Sequence, residues 1–287
     1  MHYADYKAIL SPQNSINLYR GCSHGCIYCD SRSACYQMNH DFEDIEVKRN
    51  ALRILEKQLR RKRNPCMIST GAMGDPYIPF EEELQATRQC LMLIARYGFG
   101  LTILTKSARI LRDLQLLKAI NEKTKCVVQM TLTTHDEDLC RKLEPRVSTT
   151  MERVHVLEVM RDNGIPTVVW LSPILPFIND TEENLHGLLD YCIQAKVQGI
   201  MCFGFGMTLR EGNRDHFYAQ LDRLFPGMQQ KYSRSFGNAY LCNSPNHHRL
   251  MTVFKEICEQ HNIFWKPADV FAYLQTFETK DQQLSLF

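Results

Sequence analysis

The sequence predicts an α/β fold: a partial (β/α)6 barrel of the TIM type, then a mainly helical C-terminal extension and a flexible tail. Short apolar, β-prone runs alternate with longer helical runs as far as about residue 205, which is typical of βα units around a parallel sheet. Six such strands form an incomplete barrel, because a closed barrel of this type has eight. We expect the barrel at residues 1–212, the extension at 213–277 and the tail at 278–287.

The predicted strands are 15–19, 66–70, 100–105, 126–132, 167–171 and 199–205. The predicted barrel helices are 42–63, 81–97, 108–121, 136–143, 149–163 and 181–195. Thr181 precedes two glutamates, a capping residue with an acidic first turn, and Gly164 follows the end of another helix. Beyond residue 213 the alternation stops, and helices are predicted only at 213–224 and 245–261, before a polar tail.

Composition excludes several classes of protein. The 287 residues include 34 basic and 32 acidic side chains, so there is no overall positive charge of the kind that binds polyanions. The first residues lack the pattern of a signal peptide, and no run of about 18 apolar residues occurs. We therefore expect a cytoplasmic protein with no membrane partner, in which the scattered cysteines are reduced thiols.

Three closely spaced cysteines are the strongest chemical signal. Cys22, Cys26 and Cys29 follow the spacing C-x3-C-x2-C in one short loop after the first predicted strand. Functional residues of such barrels lie in these loops, at the C-terminal ends of the strands. A [4Fe–4S] cluster normally takes four thiolates, so a three-cysteine loop predicts one cluster with an open iron where a cofactor or substrate binds.

The alternatives for these cysteines are a zinc knuckle and a set of unligated thiols. A structural zinc site closes with four ligands, commonly as two separated pairs, and no second pair follows. His24 lies between two of the cysteines, where the loop would have to fold back on itself to supply a fourth ligand. The spacing therefore favours the cluster.

Several motifs together resemble those of spore photoproduct lyase and its relatives, a family of radical S-adenosylmethionine enzymes. They are the cysteine-containing run 17–29, Thr-Lys-Ser at 105–107, Leu-Glu-Pro at 143–145 and Ser-Pro-Ile-Leu-Pro at 172–176. The resemblance covers roughly residues 5–210 and is closer to relatives of undefined activity than to the lyase. It implies a cluster that binds and reductively cleaves S-adenosylmethionine, a flavodoxin or ferredoxin-type reductant, and DNA as the substrate.

The resemblance also implies roles for single residues. Tyr28 matches an aromatic position at the adenine, and Lys106 and Thr131 match positions at the cofactor. Gly71 and Ala72 belong to a loop whose small residues let the backbone approach the methionyl group. The lyase has a hydrogen-donating cysteine in this loop, and the position here is Ala72, so reversal of a thymine dimer by the same route is not expected.

Two further regions suggest partners. The last five residues, Gln283 to Phe287 (Gln-Leu-Ser-Leu-Phe), match the peptide by which bacterial DNA-processing proteins bind the sliding clamp. Leu284, Leu286 and Phe287 would enter an apolar groove, while hydrogen bonds hold Gln283; the alternative is a frayed amphipathic end.

Arg210, in the loop after the sixth strand, is the expected partner for a substrate phosphate or carboxylate. The basic residues of 48–63 either stabilise the end of the first helix or contact a DNA backbone.

The sequence thus predicts a radical S-adenosylmethionine enzyme that repairs or modifies DNA. One alternative is an enzyme of the same chemistry that modifies a peptide or small molecule. Another is a non-catalytic iron–sulfur protein that binds DNA, which would bind a cluster but leave S-adenosylmethionine intact.

Overall fold

The computed structural model describes residues 1–280 of the chain. Its strands are β1 (His2–Ala4), β2 (Ser15–Ile16), β3 (Tyr19–Arg20), β4 (Glu46–Lys48), β5 (Met67–Thr70), β6 (Gly100–Thr105), β7 (Cys126–Thr131), β8 (Thr167–Trp170), β9 (Gly199–Met201), β10 (Gly206–Thr208) and β11 (Leu241–Asn243). Its α-helices are α1 (Ala51–Arg61), α2 (Glu81–Leu84), α3 (Ala86–Arg96), α4 (Leu114–Lys123), α5 (Glu137–Leu143), α6 (Thr150–Asp162), α7 (Glu182–Gln194), α8 (Asn213–Leu224), α9 (Met228–Phe236), α10 (His247–Gln260) and α11 (Pro267–Gln275). Short 3-10 helices lie at Asp30–Arg32, Ala34–Tyr36 and Ala108–Asp113.

The main sheet confirms the predicted α/β fold. Its six strands are parallel and lie in the order β2, β5, β6, β7, β8 and β9, so each strand pairs with the next one along the barrel. Every residue of β7, in the middle, is buried. Because the strands are parallel, their C-terminal ends meet at one edge, where the following loops converge.

The first predicted strand, 15–19, is divided between two sheets. Only β2 belongs to the main sheet, whereas β3 pairs antiparallel with β4. The last predicted strand, 199–205, is likewise shorter, because β9 ends at Met201 and the chain then forms β10, which pairs antiparallel with β11. An apolar, β-prone run predicted one strand at each place, since composition does not reveal a change of partner.

Three predicted helices also differ. The one predicted at 108–121 begins as a 3-10 helix at Ala108–Asp113 and continues as α4. The helix predicted at 42–63 begins at Ala51, because residues 46–48 form β4, with Val47 buried between β1 and β3. The helix predicted at 81–97 is broken at Gln85, which has φ of +46°. The buried Glu81 carboxylate accepts the N–H of Thr87 at 3.1 Å, so its side chain caps α3 and separates it from α2.

The C-terminal extension contains more structure than the sequence predicted. The prediction missed α9, α11 and β11. Helix α9 buries only Tyr232 and therefore has a weak apolar pattern. The buried face of α10, with Phe254 at its centre, joins the main core of the barrel, and α11 packs against β9. Within residues 1–280, no helix is both long and apolar enough to cross a lipid bilayer.

Candidate active site

A cavity of about 590 Å³ lies at the C-terminal edge of the main sheet. Its walls come from the cysteine-containing loop, the residues that follow β5, β6 and β8, and the paired strands β10 and β11. The volume is within the range of about 300 to 1,000 Å³ that is typical of ligand sites. The cavity is therefore in the position where barrel enzymes have their active sites.

The three cysteines of the loop line this cavity together. Cys22 and Cys26 are buried, and Cys29 is partly exposed. The Cys22 N–H donates to the carbonyl of Phe42 at 3.0 Å, directly after Gly21 at φ of +88°. A methyl group on Gly21 would lie 2.5 Å from that same oxygen, so only glycine allows the loop to enter the cavity here.

A second segment, residues 143–146, supports the loop from behind. The N–H of Ile27 donates to the carbonyl of Leu143 at 3.0 Å, and the N–H of Arg146 donates to the carbonyl of His24 at 3.1 Å. These backbone bonds hold the loop on either side of Cys26. The Leu-Glu-Pro motif at 143–145 is therefore a structural support of the cysteine loop.

Glu144 of this segment is the centre of a buried polar network. Its carboxylate accepts hydrogen bonds from the Tyr28 hydroxyl and from the guanidinium of Arg153, and all three side chains are buried. Arg153 also donates to the carbonyl of Thr131 at 2.9 Å, at the end of β7. Burial alone would raise the pKa of Glu144, but Arg153 and Lys106 hold this pKa below its ordinary value, so the carboxylate is charged.

The wall formed after β5 approaches the sheet very closely. Gly71 has φ of +100°, and a methyl group there would lie 1.9 Å from the carbonyl oxygen of Leu104. Further along, the Asp75 carboxylate accepts the Thr105 hydroxyl at 2.6 Å and the Lys106 N–H at 2.7 Å. Asp75 thus joins the loops after β5 and β6, and is more than a turn residue.

The cofactor positions suggested by the sequence lie on this cavity. Gly71, Ala72, Lys106 and Thr131 line it together with Tyr28. The Lys106 ammonium is 6.0 Å from the centre of the Tyr28 ring. Burial lowers the pKa of Lys106, but Cys26 and Glu144 outweigh it and raise this pKa above its ordinary value, so Lys106 presents a positive charge to the cavity.

Exposed aromatic side chains that sequence reasoning missed line this cavity. Trp170 and Phe203 line it and form a cluster with Phe271, with ring centres 6.1 to 6.4 Å apart, and Phe203 is 62% exposed. Tyr240, 51% exposed, also lines it. These residues are far apart in the sequence and belong to different elements, so no local motif identifies them. We call these residues the aromatic rim.

Arg210 supports the aromatic rim and does not line the cavity. Its guanidinium donates to the Tyr240 hydroxyl at 2.8 Å and lies 5.0 Å from the centre of that ring. The basic residues of α1 do not line the cavity either. The clamp-binding peptide suggested by the sequence, Gln283 to Phe287, lies outside the described residues.

Comparison with known proteins identifies the family. Residues 16–191, more than half of the chain, match the family described as the Radical SAM superfamily. The chain belongs to the radical SAM superfamily. An uncharacterized protein of Mycobacterium tuberculosis is 30% identical over 231 residues, which cover 78% of this chain and 67% of that protein.

Solved structures show the same fold for this radical SAM protein. Spore photoproduct lyase complexed with dinucleoside spore photoproduct has a TM-score of 0.60 and 14% identity, and the match covers 88% of this chain and 75% of the lyase chain. SuiB of Streptococcus suis bound to S-adenosylmethionine has a TM-score of 0.51 and 14% identity, over 92% of this chain and 49% of that chain. The predicted enzyme class, radical SAM with a [4Fe–4S] cluster and S-adenosylmethionine, is confirmed.

The cavity of this radical SAM enzyme fits both groups. Burial raises the pKa of Cys22 to about 12 and the pKa of Cys26 well above its ordinary value, so the thiolates need a bound cation to be stable there. Within residues 1–280, the three sulfurs are not among the groups close enough to share one ion, which suits a larger iron–sulfur cubane and not a single zinc. The Gly71 loop and Lys106, which line the same cavity, are the residues available to S-adenosylmethionine.

Proposed function

We propose that this radical SAM enzyme acts on a DNA base or base lesion presented as an unpaired nucleotide, and that its C-terminal peptide recruits it to the bacterial sliding clamp. The observation that carries the first part is the aromatic rim at the mouth of the cavity. The fold shared with spore photoproduct lyase, which was solved with a dinucleoside photoproduct, supports the same substrate class. The peptide carries the second part.

The exposed aromatic side chains need an explanation, because large apolar groups on a surface commonly mark binding sites. Met73, Phe203, Tyr240 and Leu241 are among the most exposed large apolar residues in the described chain, and all four line this one cavity. Flat rings bind unpaired bases by stacking, at about 1 to 3 kcal/mol per base, without requiring a particular sequence. An unpaired nucleotide therefore suits this opening.

The geometry of the rim supports entry of a single base. Tyr240 is held by Arg210, and Trp170 is held by a hydrogen bond of 2.7 Å from its indole N–H to Gln129. Phe203 packs on Trp170 with a ring separation of 6.1 Å. These braced rings at one cavity are suited to a base that has been turned out of its stack, as enzymes that modify bases require.

The residues below the rim have defined tasks in this proposal. When bound, the cluster and S-adenosylmethionine supply a 5'-deoxyadenosyl radical, which takes a hydrogen atom from the substrate. Cys22, Cys26 and Cys29 hold the cluster, and Lys106 presents a positive charge to the bound cofactor. In the described part of the chain no other thiol lines the cavity, and Ala72 occupies the place of the lyase's hydrogen-donating cysteine. The final hydrogen atom of the reaction therefore has a different donor from that in the lyase.

Deuterium transfer tests the proposal. The anaerobic enzyme, with reductant and S-adenosylmethionine, is mixed with deuterated oligonucleotides that are single-stranded or duplex, and undamaged or irradiated with ultraviolet light. We expect mass spectrometry to find deuterium in 5'-deoxyadenosine, with more transfer from single strands. Transfer only from a peptide pool would favour the peptide-modifying alternative, and DNA binding without cleavage of S-adenosylmethionine would favour the non-catalytic one. Either result would overturn the proposal.

A rim variant connects the result to the structure. Phe203→Ala removes one stacking surface and should weaken single-stranded DNA binding by roughly 5- to 150-fold, the equivalent of about 1 to 3 kcal/mol. Phe80→Ala, an exposed phenylalanine that does not line the cavity, is the matched control and should bind as the wild type does. Equal losses in both variants, or none in either, would argue against the rim as the base-binding surface.

A further inference from the structure

A second group of side chains, outside the cavity lining, has the arrangement of a metal site. In the part of the chain that the structure describes, only His2, His40 and Asp44 are close enough to share one ion, with one ligand atom of each within 4.8 Å of the others. The two imidazole rings meet edge to face, with centres 4.7 Å apart. His2 belongs to β1, and the other two precede β4, which pairs with β1.

His40 presents a free lone pair to this group. Its Nδ1 lies 3.0 Å from the carbonyl oxygen of Asp41, and a carbonyl can only accept, so Nδ1 carries the proton. Nε2 is then unprotonated. This atom is buried and has no hydrogen-bond partner among the described residues. A buried acceptor without a partner is costly, and it indicates a missing ligand.

His2 has the complementary arrangement. Its Nε2 is 3.5 Å from the Glu46 carboxylate and its Nδ1 is 2.8 Å from the Asp44 carboxylate. Both neighbours of the ring are acceptors, so a neutral His2 that donates from Nδ1 to Asp44 directs its Nε2 lone pair at Glu46, whereas a cation bound to Nδ1 leaves Nε2 free to donate to Glu46. The ammonium of Met1 lies 2.6 Å from the other oxygen of the Asp44 carboxylate, so the ion would share this carboxylate with it.

We propose that His2, His40 and Asp44 bind one divalent transition-metal ion of the zinc class, with water at a remaining position. Two imidazole nitrogens and a carboxylate oxygen are ligands that such ions accept. Metal-bound histidines usually donate their second N–H to a carboxylate or a backbone carbonyl, and Glu46 and the Asp41 carbonyl stand in these two places. With metal–ligand bonds of about 2.0 to 2.2 Å, only small side-chain shifts are needed to close the site.

The ion would act on the structure of the active site without entering it. Phe42 lies between His40 and Asp44, and its carbonyl oxygen accepts the Cys22 N–H at 3.0 Å. The guanidinium of Arg32 also lies over the Phe42 ring, at 4.4 Å. The ligands His40 and Asp44 flank Phe42 in the sequence. An ion that they share would fix the segment whose carbonyl group accepts the Cys22 N–H.

The competing explanation needs no metal: His2 donates from Nδ1 to Asp44, and the Met1 ammonium satisfies the other oxygen of this carboxylate. That arrangement leaves His40 Nε2 without a partner, whereas the metal gives it one. His40 therefore distinguishes the two explanations.

Metal analysis tests the proposal on the full-length, tag-free protein that carries its cluster. After anaerobic incubation with Zn²⁺ and removal of the excess, we expect about one zinc per chain in the wild type and its loss in His40→Ala, with cluster iron unchanged. His155→Ala is the matched control, because His155 forms an exposed pair with Glu158 at 3.9 Å and has no third ligand. Zinc retained in His40→Ala, or absent from the wild type, would overturn the proposal.

Empty cluster loops can themselves bind zinc through their thiolates, so a second measurement is needed. The variant with Cys22, Cys26 and Cys29 all replaced by Ala should still bind about one Co²⁺, with visible bands of nitrogen and oxygen ligands and no thiolate charge-transfer band. Adding His2→Gln to this variant should abolish these bands. If Co²⁺ binding disappears with the three cysteines, the ion belongs to the cluster loop and the proposed site does not exist.

Discussion

The three cluster cysteines offer the sharpest test at the scale of single residues. Replacing any one of Cys22, Cys26 and Cys29 by Ala should remove most of the cluster iron and abolish formation of 5'-deoxyadenosine. The reason is that no other thiol lines the cavity in residues 1–280. Iron analysis and chromatography of the products measure both effects. Cys66→Ala, at the opposite end of β5, is the control and should keep both; turnover in a cluster-ligand variant would contradict the assignment.

Lys106 is expected to bind the cofactor and not the cluster. Lys106→Ala should weaken S-adenosylmethionine binding by about 10-fold or more, because a hydrogen bond to a charged group contributes about 1.5 to 3 kcal/mol. Calorimetry on the cluster-loaded protein measures the affinity, and the cluster absorbance should not change. Lys142→Ala, at an exposed position, is the control. An affinity equal to that of the wild type would make Lys106 an ordinary surface lysine.

The sequence predicted those residues whose chemistry is contained in a short motif. The cysteine spacing predicted the cluster, and the family resemblance predicted Lys106 and Gly71 at the cofactor; all of these residues line one cavity. The sequence did not reveal the contacts of Asp75 or the aromatic rim, because their partners come from other loops. Tyr28 and Glu144, 116 positions apart, form a hydrogen bond that no local pattern contains.

At the scale of secondary-structure elements, the Glu144–Arg153 pair connects the end of α5 to α6. Arg153→Met leaves the Glu144 carboxylate buried without its cation, so it should lower the free energy of unfolding by about 3 to 5 kcal/mol. Denaturant unfolding measures this, and cluster loading should also fall, because Glu144 lies behind the cysteine loop. Arg141→Ala breaks an exposed pair with Asp138 and should cost less than about 1 kcal/mol. Similar losses in the two variants would show that the buried pair has no special role.

The errors in the predicted elements have a common physical cause. Runs 15–19 and 199–205 each have the composition of one strand, yet the end of the first pairs with β4, and the second leaves the main sheet after Met201, before the chain forms β10 and pairs with β11. Helix α2 ends at Leu84, and the carboxylate of its own first residue, Glu81, accepts the Thr87 N–H and caps α3. The partners of each segment decide these boundaries. The alternation of strands and helices still predicts the barrel, because the strands of the main sheet all have parallel strands as neighbours.

At the scale of the whole molecule, we expect recruitment and chemistry to be separable. Deleting Gln283 to Phe287 should leave cluster content and S-adenosylmethionine cleavage intact and abolish binding to the sliding clamp. A peptide that orders on binding loses roughly 2 to 5 kcal/mol of its gross interaction energy, so the intact contact should be of micromolar affinity. Surface binding to immobilised clamp measures this contact.

Single substitutions refine the test of the peptide. Leu286→Ala or Phe287→Ala should remove most of the clamp affinity, because these side chains supply the apolar contact. Gln282→Ala, just outside the pentapeptide, is the matched control. If the full-length protein and the deletion respond alike to the clamp, the match is a coincidence, and the case for DNA rests on the rim and the shared fold.

Because residues 143–146 support the cysteine loop, the order of translation limits when the cluster can be inserted. The loop leaves the ribosome early, but Glu144 follows Tyr28 by 116 positions. At about 5 to 20 residues per second, roughly 6 to 23 seconds pass before the supporting segment has been translated. Until then the three thiols are on a nascent chain without their final geometry. Iron and sulfide should therefore be delivered after translation of the first half of the barrel, by a carrier that reaches the open mouth of the cavity.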